Sequence, residues 1–244
     1  MNRPKIAVIT GASRGIGKAL ALCAAQQGYH VALCSRRHTQ ELAETAAKIQ
    51  AMGRECLLFQ GDMGNAEEVA AFFTQIKDRF HRVDLLINNA GISHIGLLQD
   101  MTTEEWNEIV QCNLSSVFYC CKHTIPLMLQ EHKGKILNIS SVWGEVGAAA
   151  EVAYSATKGG VNAFTKALAK ELAPSGIQVN ALSLGYVDTS MNQHLTEEEQ
   201  EELFAEIPIG RPTNPEEVAI FALQIAESSE YLTGQILRFD GSWI

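Results

Sequence analysis

The chain alternates between short apolar runs and longer amphipathic stretches. The runs are rich in β-branched residues, and each intervening stretch is long enough for a crossover helix, as in a parallel sheet buried on both faces. This order predicts one domain, residues 1–244, with a Rossmann-type doubly wound sheet and helices on both faces. We predict seven mostly parallel strands: Ile6 to Thr10, His30 to Ser35, Cys56 to Gln60, Leu85 to Asn88, Lys135 to Ser140, Ile177 to Leu182 and Gln235 to Phe239.

Helix signals agree with this order. Asp100 and Thr103 precede a predicted helix, and a later predicted helix is stopped by Pro174. The glutamate-rich segment from Thr196 to Glu202 is either a mobile flap over a site or a solvated helix. The apolar sides of the two helices contain Trp106, Ile109, Val110, Leu114, Val117 and Phe118 in the first, and Val161, Phe164, Leu168 and Leu172 in the second.

Composition narrows the class of protein. The 244 residues carry a formal net charge of −9 with scattered basic residues, which argues against a nucleic acid partner. Apolar runs are too short for a membrane span or a secretion signal, so we expect a cytoplasmic protein. The six cysteines lack C-x-x-C spacing and are expected to be reduced core residues. The histidines lack metal-ligand spacing, so we expect no metal.

A glycine-rich segment follows the first predicted strand and opens a helix. Glycines at such a turn allow the backbone to approach a pyrophosphate, which the N–H groups and dipole of the helix attract. The other interpretation is a tight turn without a ligand. The candidate phosphate contacts are Gly11, Ser13, Arg14, Gly15, Ile16 and Gly17.

The G-x₃-G-x-G spacing of this loop, Asn88-Asn89-Ala90-Gly91 and Tyr154-x₃-Lys158 together resemble the classical short-chain dehydrogenase/reductase family. The resemblance covers nearly the whole chain. It implies a nicotinamide cofactor and hydride transfer at a carbonyl carbon. It further implies cofactor contacts from Asn89, Ala90, Gly91, Asp62, Met63, Tyr154, Lys158, Gly185, Val187 and Thr189, with Lys158 holding the ribose, although Asp62 could also be a solvated turn residue.

The end of the second strand bears on which cofactor binds. A site for NAD uses a carboxylate there to accept a hydrogen bond from the ribose 2′-OH. This chain instead has Ser35, Arg36 and Arg37, with Arg14 in the glycine loop. Guanidinium groups can bind a 2′-phosphate bidentately, so we expect NADP(H). The alternative is that Arg36 and Arg37 are surface charges.

Tyr154 and Lys158 are spaced to share one face of a helix. A phenol of pKa about 10 is a poor acid near neutrality unless a cation lowers its pKa, and Lys158 is the candidate cation. Ser141 matches the family's substrate-orienting serine, with Ser140 as a competitor. Asn113 matches the asparagine that orders a proton relay, and its alternative is an exposed helix position.

The segment from Asn180 to Thr189 resembles the family's loop over the nicotinamide. Leu184 stands where the family usually has proline, so we expect a more mobile loop. Between Ser141 and Tyr154 and in the closing loop, we expect substrate contacts from Trp143, Glu145, Glu151 and Tyr186 in addition to Ser141.

Motifs near the end of the chain, such as Tyr231-Leu232-Thr233-Gly234-Gln235, resemble the 3-oxoacyl-[acyl-carrier-protein] reductases. That subgroup implies a carrier-linked 3-oxoacyl substrate in fatty acid biosynthesis and a homotetramer, with a homodimer as the alternative. Its basic docking positions here carry Glu131-His132-Lys133 and Ala173-Pro174-Ser175. The carrier-docking surface is therefore depleted.

The sequence is compatible with several classes of substrate. If Glu145 and Glu151 recognise a cation, the sequence resembles the reductases that act on the 5-aminopentanone modification of elongation factor P; the alternative is that both carboxylates point to water. Another small-molecule ketone or a hydroxysteroid is a further possibility. A non-catalytic NADP-binding sensor would share the fold, but the complete set of Asn113, Ser141, Tyr154 and Lys158 favours an enzyme.

Overall fold

The seven predicted strands form one parallel sheet. The computed structural model describes residues 3–190 and 196–244. Along the sheet the order is β3-β2-β1-β4-β5-β6-β7, with every pairing parallel, which confirms the predicted doubly wound fold. The strands are β1 (Ile6–Ile9), β2 (His30–Ser35), β3 (Cys56–Gln60), β4 (Leu85–Asn88), β5 (Gly134–Ser141), β6 (Ile177–Leu184) and β7 (Ile236–Phe239).

Helices cover both faces of the sheet. The first, second and last helices pack on one face, and the third, fifth and seventh pack on the other. Successive strand residues point to opposite faces of the sheet and pack into the apolar core on that face. Ile9 packs in the core under the first, second and last helices, and Val8 packs in the core on the other face. The described helices are α1 (Gly15–Gln26), α2 (Thr39–Ala51), α3 (Ala66–Phe80), α4 (Thr103–Val110), α5 (Ser116–Glu131), α6 (Trp143–Val146), α7 (Val152–Leu172), α8 (Glu197–Glu206) and α9 (Pro215–Ala226).

The crevice of the sheet lies where the strand order reverses, between β1 and β4. In an open parallel sheet, connections diverge to opposite faces at this point and leave a groove beyond the carboxyl ends of the strands. The glycine loop follows β1, and Asn89 to Gly91 follow β4. Both predicted cofactor segments therefore lie on the rim of this groove.

The segment between α4 and α5 departs from the prediction of one regular helix. Thr102 caps α4 in a reciprocal capping box with Glu105. Gln111–Ser115 forms a π-helix that joins α4 to α5. The extra residue of a π turn rotates the helix face, and Trp106 and Phe118 are 38% and 48% exposed instead of belonging to a buried apolar side.

The predicted mobility of the closing loop at Leu184 is not supported. Leu184 is the last residue of β6, is buried, and pairs in register with both Ser141 and Phe239. Its carbonyl oxygen accepts a hydrogen bond of 3.0 Å from the Val142 N–H. The sheet fixes this residue where the family usually relies on proline.

Two further sequence expectations concern cysteines and membrane spans. All six cysteines are free; four are buried, while Cys23 and Cys112 are half-buried. Within residues 3–190 and 196–244, we find no helix with the length and apolarity needed to cross a membrane.

Candidate functional site

The glycine loop has a shape that only glycine permits at two positions. Gly11 has φ +66°, and a Cβ added there would lie 3.0 Å from the Cα of Ala90. A Cβ on Gly17 would lie 2.1 Å from the carbonyl oxygen of Gly11. Arg14, which precedes α1, provides no side-chain cap to the first turn in the described structure. The loop therefore closes tightly and leaves the helix N-terminus available to an anion.

Thr10 and Asn89 fasten this loop to the loop after β4. The Thr10 hydroxyl accepts hydrogen bonds from the N–H groups of Asn89 at 3.0 Å and Ala90 at 2.9 Å. The Asn89 side-chain amide donates to the carbonyl oxygen of Thr10 at 2.9 Å. Asn89, predicted as a cofactor contact, thus uses its side chain to hold the two loops together.

The other predicted cofactor residues differ in whether their side chains are accessible to a ligand or already packed within the protein. Met63 has its side chain in the apolar core, which leaves only its backbone for a ligand. Gly185 packs against Asp240, since an added Cβ would lie 2.8 Å from that residue's Cα. Ser13 is buried and accepts a hydrogen bond from the Ser35 hydroxyl. Val187 is buried in the core.

Thr189 lies against the glycine loop. An added Cβ on Gly15 would be 3.5 Å from the Thr189 methyl group. The segment after β6 therefore comes back to the start of α1, although the two are far apart in sequence. This contact places Thr189 beside the glycine loop, and its role as a cofactor contact stays a prediction.

Asn113 is buried inside the π-helix, and the alternative of an exposed helix position is wrong. Its side-chain oxygen accepts from the Ile92 N–H at 2.8 Å, and its side-chain nitrogen donates to the Ile92 carbonyl at 2.8 Å. The same nitrogen is 3.3 Å from the Thr157 hydroxyl on α7. Asn113 therefore binds the loop after β4 to the helix that carries Tyr154 and Lys158.

Lys158 lies one helical turn after Tyr154 on α7. Its Nζ donates to the carbonyl oxygen of Ile139 at 2.8 Å and lies 5.5 Å from the centre of the Tyr154 ring. A Cβ on Gly91 would be 3.4 Å from Asn113 Oδ1 and 3.8 Å from Lys158 Nζ. We refer to Asn113, Ser141, Tyr154 and Lys158 as the Tyr154 cluster.

Burial dominates the ionisation of this cluster. It lowers the pKa of Lys158 to about 8. Burial, assisted by the negative charge of Glu151, raises the pKa of Tyr154 to about 12, and a hydrogen bond with Ser141 acts in the opposite direction. The expected lowering of the phenol pKa by Lys158 is therefore not found; desolvation sets the direction of the shift, and Ser141 is the group that opposes it.

Ser140 and Ser141 face opposite sides of β5. The Ser140 hydroxyl donates to the side-chain oxygen of Asn162 at 2.7 Å, in the packing between the strand and α7. Ser141 bonds with Tyr154, and its hydroxyl also accepts from the Trp143 N–H at 3.2 Å. The preference for Ser141 over Ser140 as the group beside Tyr154 agrees with this geometry.

Arg36 is held by two carboxylates. Its Nη1 lies 3.2 Å from Asp62 Oδ2, and its Nη2 lies 2.8 Å from Glu108 Oε1 on α4. The hydrogen bond to Glu108 is the main reason that the pKa of Arg36 is raised. Arg14 and Arg37 are exposed. The predicted convergence of guanidinium groups on one phosphate is thus replaced here by the Arg36 cluster, which comprises Arg36, Asp62 and Glu108.

A cavity of about 590 Å³ lies beside the Arg36 cluster. It is bounded by the loops after β2 and β3, the start of α3, and the junction of α4 with the π-helix. The volume of this cavity is large enough for a part, of about nucleotide size, of a larger ligand. The lining residues are Arg36, Asp62, Gly64, Asn65, Ala66, Glu67, Glu108, Gln111, Cys112 and Tyr119.

Glu145 does not present a free carboxylate to a substrate. Its Oε1 accepts from the Ser183 hydroxyl at 2.6 Å, and its Oε2 pairs with Arg238 at 2.8 Å. Burial opposes its ionisation, but these hydrogen bonds outweigh burial and keep the pKa of Glu145 below its usual range. The hypothesis that Glu145 recognises a cationic substrate is therefore not supported.

Trp143 and Tyr186, two of the predicted substrate contacts, each pack against another aromatic ring. Trp143 contacts Trp243 with ring centres 4.9 Å apart, and Tyr186 contacts Phe204 of α8 at 5.5 Å. The glutamate-rich segment from Thr196 to Glu202 therefore forms most of helix α8, and Phe204 of this helix contacts Tyr186 of the closing loop. Sequence reasoning missed Glu108, Arg238, Phe204 and Trp243, because each acts through a partner that is distant in sequence.

Comparison with known proteins defines the class. A family model described as short chain dehydrogenase matches residues 5–200, so the chain belongs to the short-chain dehydrogenase/reductase family and is an oxidoreductase.

Three relatives match almost end to end. The uncharacterized oxidoreductase YmfI of Bacillus subtilis is 40% identical over 241 residues, 98% of both chains. The 3-oxoacyl-[acyl-carrier-protein] reductase of Synechocystis sp. is 40% identical over 98% of this chain and 97% of that protein. The 3-oxoacyl-[acyl-carrier-protein] reductase FabG of Staphylococcus aureus is 36% identical over 99% of this chain and 98% of that protein.

Proposed function

We propose that this oxidoreductase reduces a ketone to an alcohol with NADPH, and that a 3-oxoacyl thioester of the acyl-carrier-protein type is its substrate. The convergence of Ser141, Tyr154 and Lys158 beside Gly91, at the carboxyl ends of β4 and β5, is the observation that carries this proposal. The printed names of two relatives support the thioester.

The glycine loop fits a dinucleotide. Gly11 and Gly17 leave space that a Cβ would fill, and α1 begins without a side-chain cap among the described residues. When bound, NADPH supplies the hydride for the carbonyl carbon. Gly11 to Gly17 and Thr189 would hold its phosphates, Asp62 its adenine, and Lys158 its ribose. The absence of a carboxylate at the end of β2, followed by Arg36 and Arg37, favours the 2′-phosphate.

Tyr154 acts as the general acid. A pKa of about 12 keeps its phenol protonated at neutral pH but makes it a weak acid. Tyr154 therefore gives its proton to the carbonyl oxygen only as that oxygen gains alkoxide character, because an alkoxide is a stronger base than a phenolate. Ser141 donates a hydrogen bond to the same oxygen, where negative charge develops. Lys158 stabilises the phenolate that remains, and Asn113 orders the relay that returns a proton to Tyr154.

A homotetramer or homodimer agrees with the apolar side chains that α4 and α5 expose. Trp106 and Phe118 are large aromatic residues with 38% and 48% of their surfaces accessible. Such residues are enriched at protein interfaces.

The first experiment follows the absorbance of NADPH and of NADH with acetoacetyl-coenzyme A as substrate. We expect turnover that prefers NADPH by at least about tenfold. Tight binding of NADPH without turnover on this substrate would contradict the proposed thioester and favour a ketone on a modified protein or another specialised substrate. Absence of turnover on an amino-bearing ketone as well would favour a non-catalytic NADP-binding sensor. A preference for NADH would contradict the cofactor assignment.

A ketone that carries a positive charge is the second candidate substrate. Glu151 precedes α7, and its negative charge contributes, after burial, to the raised pKa of Tyr154. This contribution supports an electrostatic influence of Glu151 on the reaction centre. The resemblance to reductases of the 5-aminopentanone group on elongation factor P is consistent with such a substrate, and so is the depleted carrier-docking surface.

Glu151→Gln tests this second candidate. We expect kcat/KM for an amino-bearing ketone to fall about tenfold relative to a neutral ketone of the same length. Glu145→Gln is the matched control, because Glu145 is already paired with Arg238. Equal effects of both substitutions on both ketones would remove the cationic substrate from consideration.

A further inference from the structure

The Arg36 cluster contains more negative than positive charge. Arg36 contributes one positive charge, whereas Asp62 and Glu108 contribute two negative charges within hydrogen-bond distance of it. A phosphate monoester that approaches Arg36 therefore meets two carboxylates already bound to the same guanidinium. Because like charges at this range repel, the phosphate must compete for Arg36.

The two carboxylates are held differently. Asp62 is fixed by its own loop: Oδ1 accepts from the Gly64 N–H at 2.8 Å, and its backbone N–H donates to Glu68 at 2.8 Å. Glu108 reaches Arg36 from α4, and its side chain is 50% exposed. Its bond to Arg36 is the shorter of the two. Glu108 is therefore the partner that can leave without disturbing the loop after β3.

We propose that Glu108 is a specificity-determining residue that competes with the 2′-phosphate of the cofactor for Arg36. This inference rests on the proposed function, since it assigns Arg36 to that phosphate. Glu108 weakens binding of a 2′-phosphorylated adenosine and has little effect on one that lacks this phosphate. With Glu108 in place, the protein therefore discriminates between the two nicotinamide cofactors less strongly than Arg36 alone would allow.

The test uses fragments that contain only the adenosine part of the cofactor. Adenosine 2′,5′-bisphosphate carries the 2′-phosphate, and AMP lacks it. Their dissociation constants are measured by titration calorimetry with the wild-type protein, Glu108→Gln and Glu104→Gln. Glu104 lies one helical turn earlier on α4 and is also exposed, so it controls for the loss of one negative charge.

We expect Glu108→Gln to bind adenosine 2′,5′-bisphosphate about three- to tenfold more tightly, with AMP unchanged and Glu104→Gln like the wild type. Unchanged or weaker binding of the bisphosphate to Glu108→Gln would overturn the inference, because weaker binding means that Glu108 positions Arg36 for the phosphate. An equal gain for AMP, or the same gain in Glu104→Gln, would also overturn it.

This measurement is independent of the proposed reaction, because no ketone or hydride takes part. A wild-type protein without turnover would contradict the proposed function, whereas the affinity ratio would still decide the role of Glu108. A wild-type preference for NADH would contradict the cofactor assignment. Even then, a gain for the bisphosphate in Glu108→Gln supports the competition.

Discussion

The Tyr154 cluster and the Arg36 cluster lie at the same edge of the sheet, but they hold their cations in opposite ways. Lys158 is 5% exposed and donates to a main-chain carbonyl, so burial lowers its pKa to about 8. Arg36 is about one-third exposed and binds two carboxylates, so its pKa is raised.

This difference separates two kinds of chemistry. A buried ammonium whose pKa is close to neutrality can change its charge during a proton transfer. A guanidinium keeps its charge and can only change partners. The Tyr154 cluster is therefore suited to moving protons, and the Arg36 cluster is suited to exchanging one anion for another.

The largest expected effect is the loss of turnover when the Tyr154 cluster is changed. Tyr154→Phe removes the proton donor, so we expect kcat to fall about 10³-fold, while the dissociation constant of NADPH changes by less than about twofold. Steady-state kinetics and cofactor titration provide the two readouts. Tyr231→Phe is the control, since Tyr231 is 96% exposed. Substantial turnover by Tyr154→Phe would show that another group donates the proton.

The second effect is the pH dependence of stability. Between pH values of about 8 and 10.5, the unfolded chain holds a proton that folded Lys158 has lost, so the free energy of unfolding rises with pH. We expect the stability of the wild type relative to Lys158→Met to increase by about 3 kcal/mol across this interval. Urea unfolding at several pH values measures it.

Lys170→Met, on the exposed side of α7, is the control for this experiment and should show no such trend. Other titrating groups cancel when variants are compared at the same pH. A constant difference between the wild type and Lys158→Met would mean that Lys158 titrates at its ordinary pKa and that burial does not act on it as described.

The smallest effect is expected at the Arg36 cluster. Because its ion pairs are partly exposed, Arg36→Ala should change the free energy of unfolding by less than about 1 kcal/mol. Arg82→Ala is the contrast, since Arg82 and Asp84 are only 16% and 14% exposed and should lose more. Chemical denaturation compares the two. A larger loss in Arg36→Ala would show that this cluster stabilises the fold.

The strands were predictable to within one or two residues because a parallel sheet that is covered on both faces requires continuous apolar runs. The positions of Tyr154 and Lys158 were also predictable, since a helix places residues four apart on one face. Both features depend on local periodicity, which one sequence displays directly.

The remaining features depend on pairs that are distant in the chain. Glu145 of α6 pairs with Arg238 of β7, and Arg36 pairs with Glu108 of α4; neither pair has a local signal in the sequence. The π-helix around Asn113 is likewise invisible to an apolar pattern, because one extra residue in a turn leaves the composition unchanged. The sequence therefore does not display side-chain pairs that are distant in the chain, or a local irregularity within a helix.

The contact between Trp143 and Trp243 gives the protein an internal optical label. The chain has three tryptophans, and these two have ring centres 4.9 Å apart with a tilt of 60°. Indoles at this distance and angle share their electronic excitation, which produces a circular dichroism signal that a single indole does not give. The signal arises from two segments that are about 100 residues apart in the chain, one after β5 and one after β7, so it reports their docking in solution without any added dye.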